Sequence, residues 1–160
     1  MMAEAINNII LRDMTASDLD RASNLEKEAF GKFAWTRAQL EDALERNDTA
    51  YVVAVLDDEV VGLCGVQNIC GDGEITNVSV DSSKRNLGIA SRMFAYLLKR
   101  GCEIGCTAFT LEVRAGNASA IRLYESAGFI SEGVRPSFYD SPKEDAVIYW
   151  LRNVEDIKTN

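Results

Sequence analysis

The stretch "LEVRAGNASAIRLYESAGF", Leu111 to Phe129, decides how the chain folds. With a period of two, Phe109, Leu111 and Val113 share one face of a strand and Thr110, Glu112 and Arg114 take the other. The strand breaks at Ala115-Gly116-Asn117, and Asn117 caps a helix in which Ala120, Ile121, Tyr124 and Ala127 recur at helical spacing. Gly128 then stands where a left-handed C-terminal cap is wanted. Within this unit Glu112 is a carboxylate in an otherwise apolar strand, where an unpaired buried charge would be costly. Its face is therefore polar, solvated or functional, and an ion pair with Arg114 is the simplest explanation. Tyr124 has an equally simple reading as a core tyrosine with its hydroxyl satisfied.

Upstream, Thr107 to Val113 reads as the strand itself. Before it, Ile89, Ala90, Met93, Phe94, Leu97 and Leu98 form the broad apolar face of a helix from about Gly88 to Arg100, stopped by Gly101 or Gly105. "EITNVSV", Glu74 to Val80, is a strand entered through a turn at Gly71-Asp72-Gly73. "AYVVAVL", "DDE" and "VVGLCGVQNI" make a hairpin, so three antiparallel strands follow one another. Thr36 and Gln39 have capping-box spacing for a helix running to about Asn47, and Thr15 to Asp18 opens another carrying Leu19, Ala22, Leu25 and Ala29. A loop from Gly31 to Trp35 separates them, and a short strand near Asn8 to Arg12 precedes both.

Downstream, two more strands are expected, around Phe129 to Phe138 and Ala146 to Arg152. The order β-α-α-β-β-β-α-β-α-β-β combines a meander with crossovers. The class is α/β, with a mixed, mostly antiparallel sheet of about seven strands and about four helices.

A chain of 160 residues suits one domain, taken as 1–160. At 47% hydrophobic and 26% charged it has the composition of a soluble globular protein. Its apolar runs are shorter than the ~20 residues a bilayer span needs, and Met1-Met2-Ala3-Glu4-Ala5 lacks a basic leader, so a cytoplasmic protein without membrane association is expected. A formal charge of −8 disfavours direct grip on nucleic acid and suits a basic peptide partner, although solubility alone also accounts for it. Cys64, Cys70, Cys102 and Cys106 form no Cys-x-x-Cys pair and the chain has no histidine; buried reduced thiols are expected rather than a metal site.

"RNLGIAS", Arg85 to Ser91, enters a helix directly after a strand. The first backbone N–H groups of such a helix lack intrahelical partners and the macrodipole is positive there, so an anion such as a diphosphate can dock. The motif is neither a P-loop nor a dinucleotide fingerprint. A glycine placed for packing at a helix start explains it equally well.

Taken together, Arg85-x-x-Gly88-x-Ala90, Leu111-Glu112-Val113-Arg114, Asn117, Ala120, Leu123-Tyr124-Glu125 and Gly128-Phe129 resemble the Gcn5-related N-acetyltransferase superfamily. Within it, "LEVRAGN" followed by "AIRLYESAGF" is most similar to the ribosomal-protein-alanine N-acetyltransferase (RimI) family. The resemblance is strongest from Glu74 to Phe129. It implies that acetyl-CoA binds in a V-shaped opening between the Glu74–Val80 and Thr107–Val113 strands. Main-chain groups of Val78, Ser79 and Val80 would meet the pantetheine arm, the amides of Asn86, Leu87, Gly88, Ile89, Ala90 and Ser91 would hold the diphosphate, and Asn117 would contact the coenzyme. Glu112 would be the general base and Tyr124 the general acid, with direct transfer, no enzyme-bound acetyl group and no metal.

An N-terminal amine has a pKa of about 8 and must lose protons before it attacks a thioester, while a departing thiolate needs one, so the two roles suit these residues. The implied acceptor is the N-terminal alanine of a small-subunit ribosomal protein, with Phe33, Trp35 and Tyr139 on the substrate side. Ala34 and Phe138 depart from the family there, standing where proline and tyrosine are common. Two other readings remain: a relative acetylating lysine side chains or small amines, and a non-catalytic acyl-CoA-binding or partner-binding module. Retention of both Glu112 and Tyr124 argues against the module.

Overall fold

A computed structural model of the chain describes residues 7–159. Its strands are β1 (Ile10–Asp13), β2 (Thr49–Leu56), β3 (Glu59–Ile69), β4 (Asp72–Val80), β5 (Ala108–Arg114), β6 (Ile130–Tyr139) and β7 (Glu144–Leu151). The helices are α1 (Leu19–Phe30), α2 (Arg37–Glu45), α3 (Ile89–Glu103), α4 (Ala118–Ser126) and a short α5 (Glu155–Thr159), the last not foreseen from the sequence. The seven strands form one sheet in the order β1-β2-β3-β4-β5-β7-β6. All neighbours are antiparallel except β4 and β5, which α3 joins as a parallel crossover.

The apolar run of β2 is explained by burial on both faces. Val52, Ala54 and Leu56 enter a core with Met93, Phe94 and Leu97 of α3, whereas Tyr51, Val53 and Val55 enter a second core with Leu19 and Leu25 of α1 and Leu40 of α2. The β2–β3 turn is made by Asp57 and Asp58, both at positive φ (51° and 64°), the handedness that suits a tight hairpin.

Several element limits differ from the sequence expectation. The turn before β4 is Cys70-Gly71, at φ 54° and 95°, so Asp72 and Gly73 already belong to the strand. Gly101 lies inside α3, where a Cβ would come within 2.5 Å of the Phe109 ring; Gly105, at φ 100°, provides the left-handed residue just after the helix. Gly128 does the same after α4 at φ 97°. The thiols are all free, and only Cys64 and Cys106 are buried; Cys70 is exposed and Cys102 half-buried, which corrects the expectation that all four are buried. Among the described residues no helix is long and apolar enough to cross a membrane.

Candidate active site

The cleft arises from a failure of strand pairing. β4 and β5 are hydrogen-bonded only over Asp72–Glu74 and Ala108–Thr110, after which the strands diverge. β4 continues paired to β3 on its outer side, and β5 to β7. The inner edges of both strands therefore present main-chain polar groups to a common opening, into which an extended ligand arm can add. The opening holds about 860 Å³ and is lined by Ile75 to Val80 on one side and Leu111 to Arg114 on the other. That volume falls within the range of small-molecule sites.

One end of the cleft is the N-terminus of α3. Gly88, the residue before the helix, is left-handed at φ 76°, and no side chain caps the helix there. By contrast, Thr36 caps α2 and Asn117 caps α4 through side-chain oxygens. Asn86 is also left-handed, at φ 64°. Left-handed residues on either side of Leu87 turn neighbouring N–H groups toward one concavity, and the uncapped amides of the longest helix lie beside it. Asn86, Gly88, Ile89, Ala90 and Ser91 all line the cleft, with Lys84 and Arg85 next to them. These donors fit an anionic diphosphate. The Leu87 side chain is absent from the lining because it packs against the main core.

β5 has the pleat expected of it: Phe109, Leu111 and Val113 are buried and Glu112 faces the cleft. The expected Glu112–Arg114 ion pair is not formed. Glu112 Oε1 lies 3.2 Å from Nε of Arg135, which reaches it from β6 across β7. Arg114 turns instead to the β6–β7 connection, where it donates to the carbonyls of Asp140 (3.0 Å) and Pro142 (2.9 Å) and pairs with Glu144 at 3.3 Å. Its guanidinium also stacks 4.4 Å from the centre of the Tyr139 ring.

Tyr124 belongs to core and cleft together. Its ring centroid lies 5.4 Å from that of Phe94 and 6.1 Å from that of Phe129, yet it also lines the opening. Burial pushes its phenol up to about 12, with smaller contributions from Cys64 and Tyr139, so it stays protonated near neutrality. Asn117 caps α4 by accepting from the Ala120 amide at 3.2 Å and lines the same wall.

Phe33 and Tyr139 stand at the mouth with Phe30 and Phe138. Trp35 does not join them: its ring packs 6.1 Å from Tyr51, beside the second core, and borders a separate hollow with Lys27 and Lys32. The Trp35 ring therefore anchors its segment to the second core. The sequence reading also missed Glu26, which is 1% exposed and bonded to Asn77 and Ser79 of the cleft wall. Its signal was present, because Glu26 is seven residues after Leu19 and four after Ala22, on the apolar stripe of α1.

A model of the acetyltransferase (GNAT) family matches residues 7–129. Over 145 residues the chain is 30% identical to the [ribosomal protein bS18]-alanine N-acetyltransferase of Salmonella typhimurium, covering 86% of this chain and 93% of that protein. An uncharacterized Mycobacterium leprae protein is 32% identical over 145 residues, 88% of this chain, and here the chain spans only 40% of the relative's length. The crystal structure of the ribosomal-protein-S18-alanine N-acetyltransferase from Escherichia coli has the same fold, with a TM-score of 0.79 at 24% identity over 89% of this chain and 92% of that one. Sequence match and splayed-strand architecture agree, and the chain belongs to the acetyltransferase (GNAT) family, alongside the ribosomal-protein-alanine N-acetyltransferases.

Proposed function

We propose that the protein transfers an acetyl group from acetyl-CoA to the N-terminal amine of a protein in the cytoplasm, with the N-terminal alanine of a small-subunit ribosomal protein as the natural acceptor. The observation that carries this reading is the joint presence, in one cleft, of an uncapped helix N-terminus at Gly88–Ser91, a carboxylate at Glu112 and a protonated phenol at Tyr124. The choice of acceptor rests on the Salmonella typhimurium relative, whose name states that substrate.

Acetyl-CoA supplies an acyl group activated as a thioester. In the proposed assignment the amides from Asn86 to Ser91 hold its diphosphate, the inner edge of Val78 to Val80 pairs with its extended arm, and Asn117 offers its amide nitrogen. Glu112 accepts a proton from the incoming amine, directly or through a water, since an α-ammonium with a pKa of about 8 is a poor nucleophile until deprotonated. Arg135 holds the Glu112 carboxylate in place at 3.2 Å. Tyr124, which its raised pKa keeps protonated in the resting site, gives a proton to the leaving sulfur as thiolate charge develops on it. Phe33 and Tyr139 border the path of the acceptor peptide.

The deciding experiment offers two sets of peptides with labelled acetyl-CoA: one with free alanine termini, and the same peptides with blocked termini and internal lysines. Label is expected on the free termini alone. Label confined to lysine would replace this reading with that of a lysine acetyltransferase.

A further inference from the structure

Glu26 is a fully buried carboxylate that the proposed chemistry does not use. Its three partners are neutral donors: Oε1 accepts from Nδ2 of Asn77 (3.0 Å) and Oγ of Ser79 (3.2 Å), and Oε2 accepts from the Trp35 amide (3.3 Å). Burying a carboxylate is costly unless its oxygens are satisfied, and these three bonds offset that cost. An apolar residue would fill the stripe of α1 with less difficulty, so the polarity points to a task.

The direction of the hydrogen bonds shows what the task is. Asn77 gives its amide hydrogens to Glu26, which turns its Oδ1 to accept from the Tyr51 hydroxyl at 3.0 Å. Tyr51 has a single hydroxyl proton, so its oxygen accepts from Thr76 Oγ1, also at 3.0 Å. Every proton in the chain Thr76, Tyr51, Asn77 and in the Ser79 and Trp35 arms points toward Glu26. Only a carboxylate offers two acceptor oxygens at that sink; glutamine would set an NH2 group against one of the existing donors.

The network also joins two parts of the cleft. Thr76, Asn77 and Ser79 line its β4 wall. Thr76 is the extra residue of a bulge, because the β3–β4 register passes from Gly65↔Asn77 to Val66↔Ile75. Gly65 makes room for the Tyr51 ring that serves this bulge: a Cβ there would lie 2.5 Å from the ring. The Trp35 amide closes the segment that carries Phe33 and leads into α2.

We infer that Glu26 is a positioning residue for the acceptor: it fixes the Phe33–Trp35 segment to the bulged β4 wall, so that the mouth receiving the amine keeps its register with the strand holding the acetyl donor. The inference rests on the transferase reading above.

The test uses the full chain with Trp150→Phe, which leaves Trp35 as the reporting indole. Glu26→Gln is expected to raise the KM for an alanine-terminated peptide at least about tenfold, to leave the KM for acetyl-CoA within about twofold, and to make Trp35 more accessible to acrylamide quenching. Wild-type peptide KM and wild-type quenching together would overturn the inference, as would an equal rise in both KM values. Should Glu26→Gln not fold, Tyr51→Phe keeps the ring but removes both the bond to Asn77 Oδ1 and the Thr76 arm; a severalfold rise in peptide KM alone supports the inference, and an unchanged one overturns it. If the parent protein acetylates no alanine terminus, the transferase reading fails, while the quenching comparison still decides whether Glu26 holds the segment.

Discussion

Glu112 and Arg135 meet at 3.2 Å across the intervening strand β7, at the open side of the cleft. The side chains are 30% and 57% exposed, so solvent screens the pair and it contributes only about 0–1 kcal/mol to folding. In the proposed mechanism the pair matters because it orients the Glu112 carboxylate. Glu112→Gln should lower turnover about a hundredfold or more, the usual scale for a lost general base, and leave acetyl-CoA affinity and Tm nearly unchanged. Steady-state kinetics with calorimetric titration of acetyl-CoA would check this, and wild-type turnover would remove Glu112 from the mechanism.

Tyr124→Phe keeps the ring that packs on Phe94 and Phe129, so the fold should persist while turnover falls about tenfold to a hundredfold. Because burial holds the phenol at about 12, the parent enzyme should show no alkaline loss of kcat from this group in the ordinary tyrosine range near pH ~10. An alkaline limb near pH ~10 that disappears in Tyr124→Phe would contradict the raised pKa while supporting Tyr124 as the acid. A loss of acetyl-CoA binding as large as the loss of rate would make Tyr124 a binding residue.

Arg114 clamps the β6–β7 connection through two carbonyls, Glu144 and the face of Tyr139. Arg114→Lys keeps the charge and loses the planar fork that reaches these partners together. The KM for peptide should rise severalfold, about threefold to tenfold, with the KM for acetyl-CoA unaffected, since the helix end proposed to hold the diphosphate is the N-terminus of α3. Equal effects on both substrates would show that the connection does not serve the acceptor alone.

Far from the cleft, Asp18 accepts from both Arg12 terminal nitrogens, at 2.7 and 2.9 Å, and from the Thr15 amide at 2.8 Å. The Arg12 hydrogen bonds hold its carboxyl below the usual range against the opposing effect of burial, with the Thr15 amide assisting. A lowered native pKa stabilises the fold above the unfolded value of about 3.9, and this contribution is lost as pH falls through the native value. Asp18→Asn should therefore be less stable than the parent at neutral pH by an amount that stays constant down to about pH 4 and shrinks below it. Urea midpoints across that range provide the measurement; a difference independent of pH would assign the effect to packing.

Most of the fold was legible from local patterns. The alternation around Glu112, the Asn117 cap and Gly128 placed β5 and α4, and the β-branched apolar run of β2 marked a strand, whose burial on both faces emerges only with the helices packed on it. Helix stops were less legible. Gly101 looks like a terminator until the Phe109 ring occupies the space beside it, and that ring arrives from a strand several residues later. At the site, the roles expected of Asn86 to Ser91 and Tyr124 come from the family resemblance rather than from spacing, and the packing of the Trp35 ring on Tyr51 is a contact that neither of its sequence neighbours reveals.

Sequence patterns alone assigned the faces and element ends: a carboxylate on the polar face of an apolar strand, a tyrosine nearly two turns into the next helix, and a glycine at a helix start. Periods of two and 3.6 residues are local properties, and they assign faces without knowledge of the rest of the chain. Partnership is different, because it depends on distances between segments far apart in sequence. It took the packed chain to pair Glu112 with Arg135, to turn Arg114 away to the β6–β7 connection, and to gather the hydrogen bonds of the β4 wall on Glu26. The cleft itself is of this second kind, since two strands that each look complete in the sequence pair for three residues and then part.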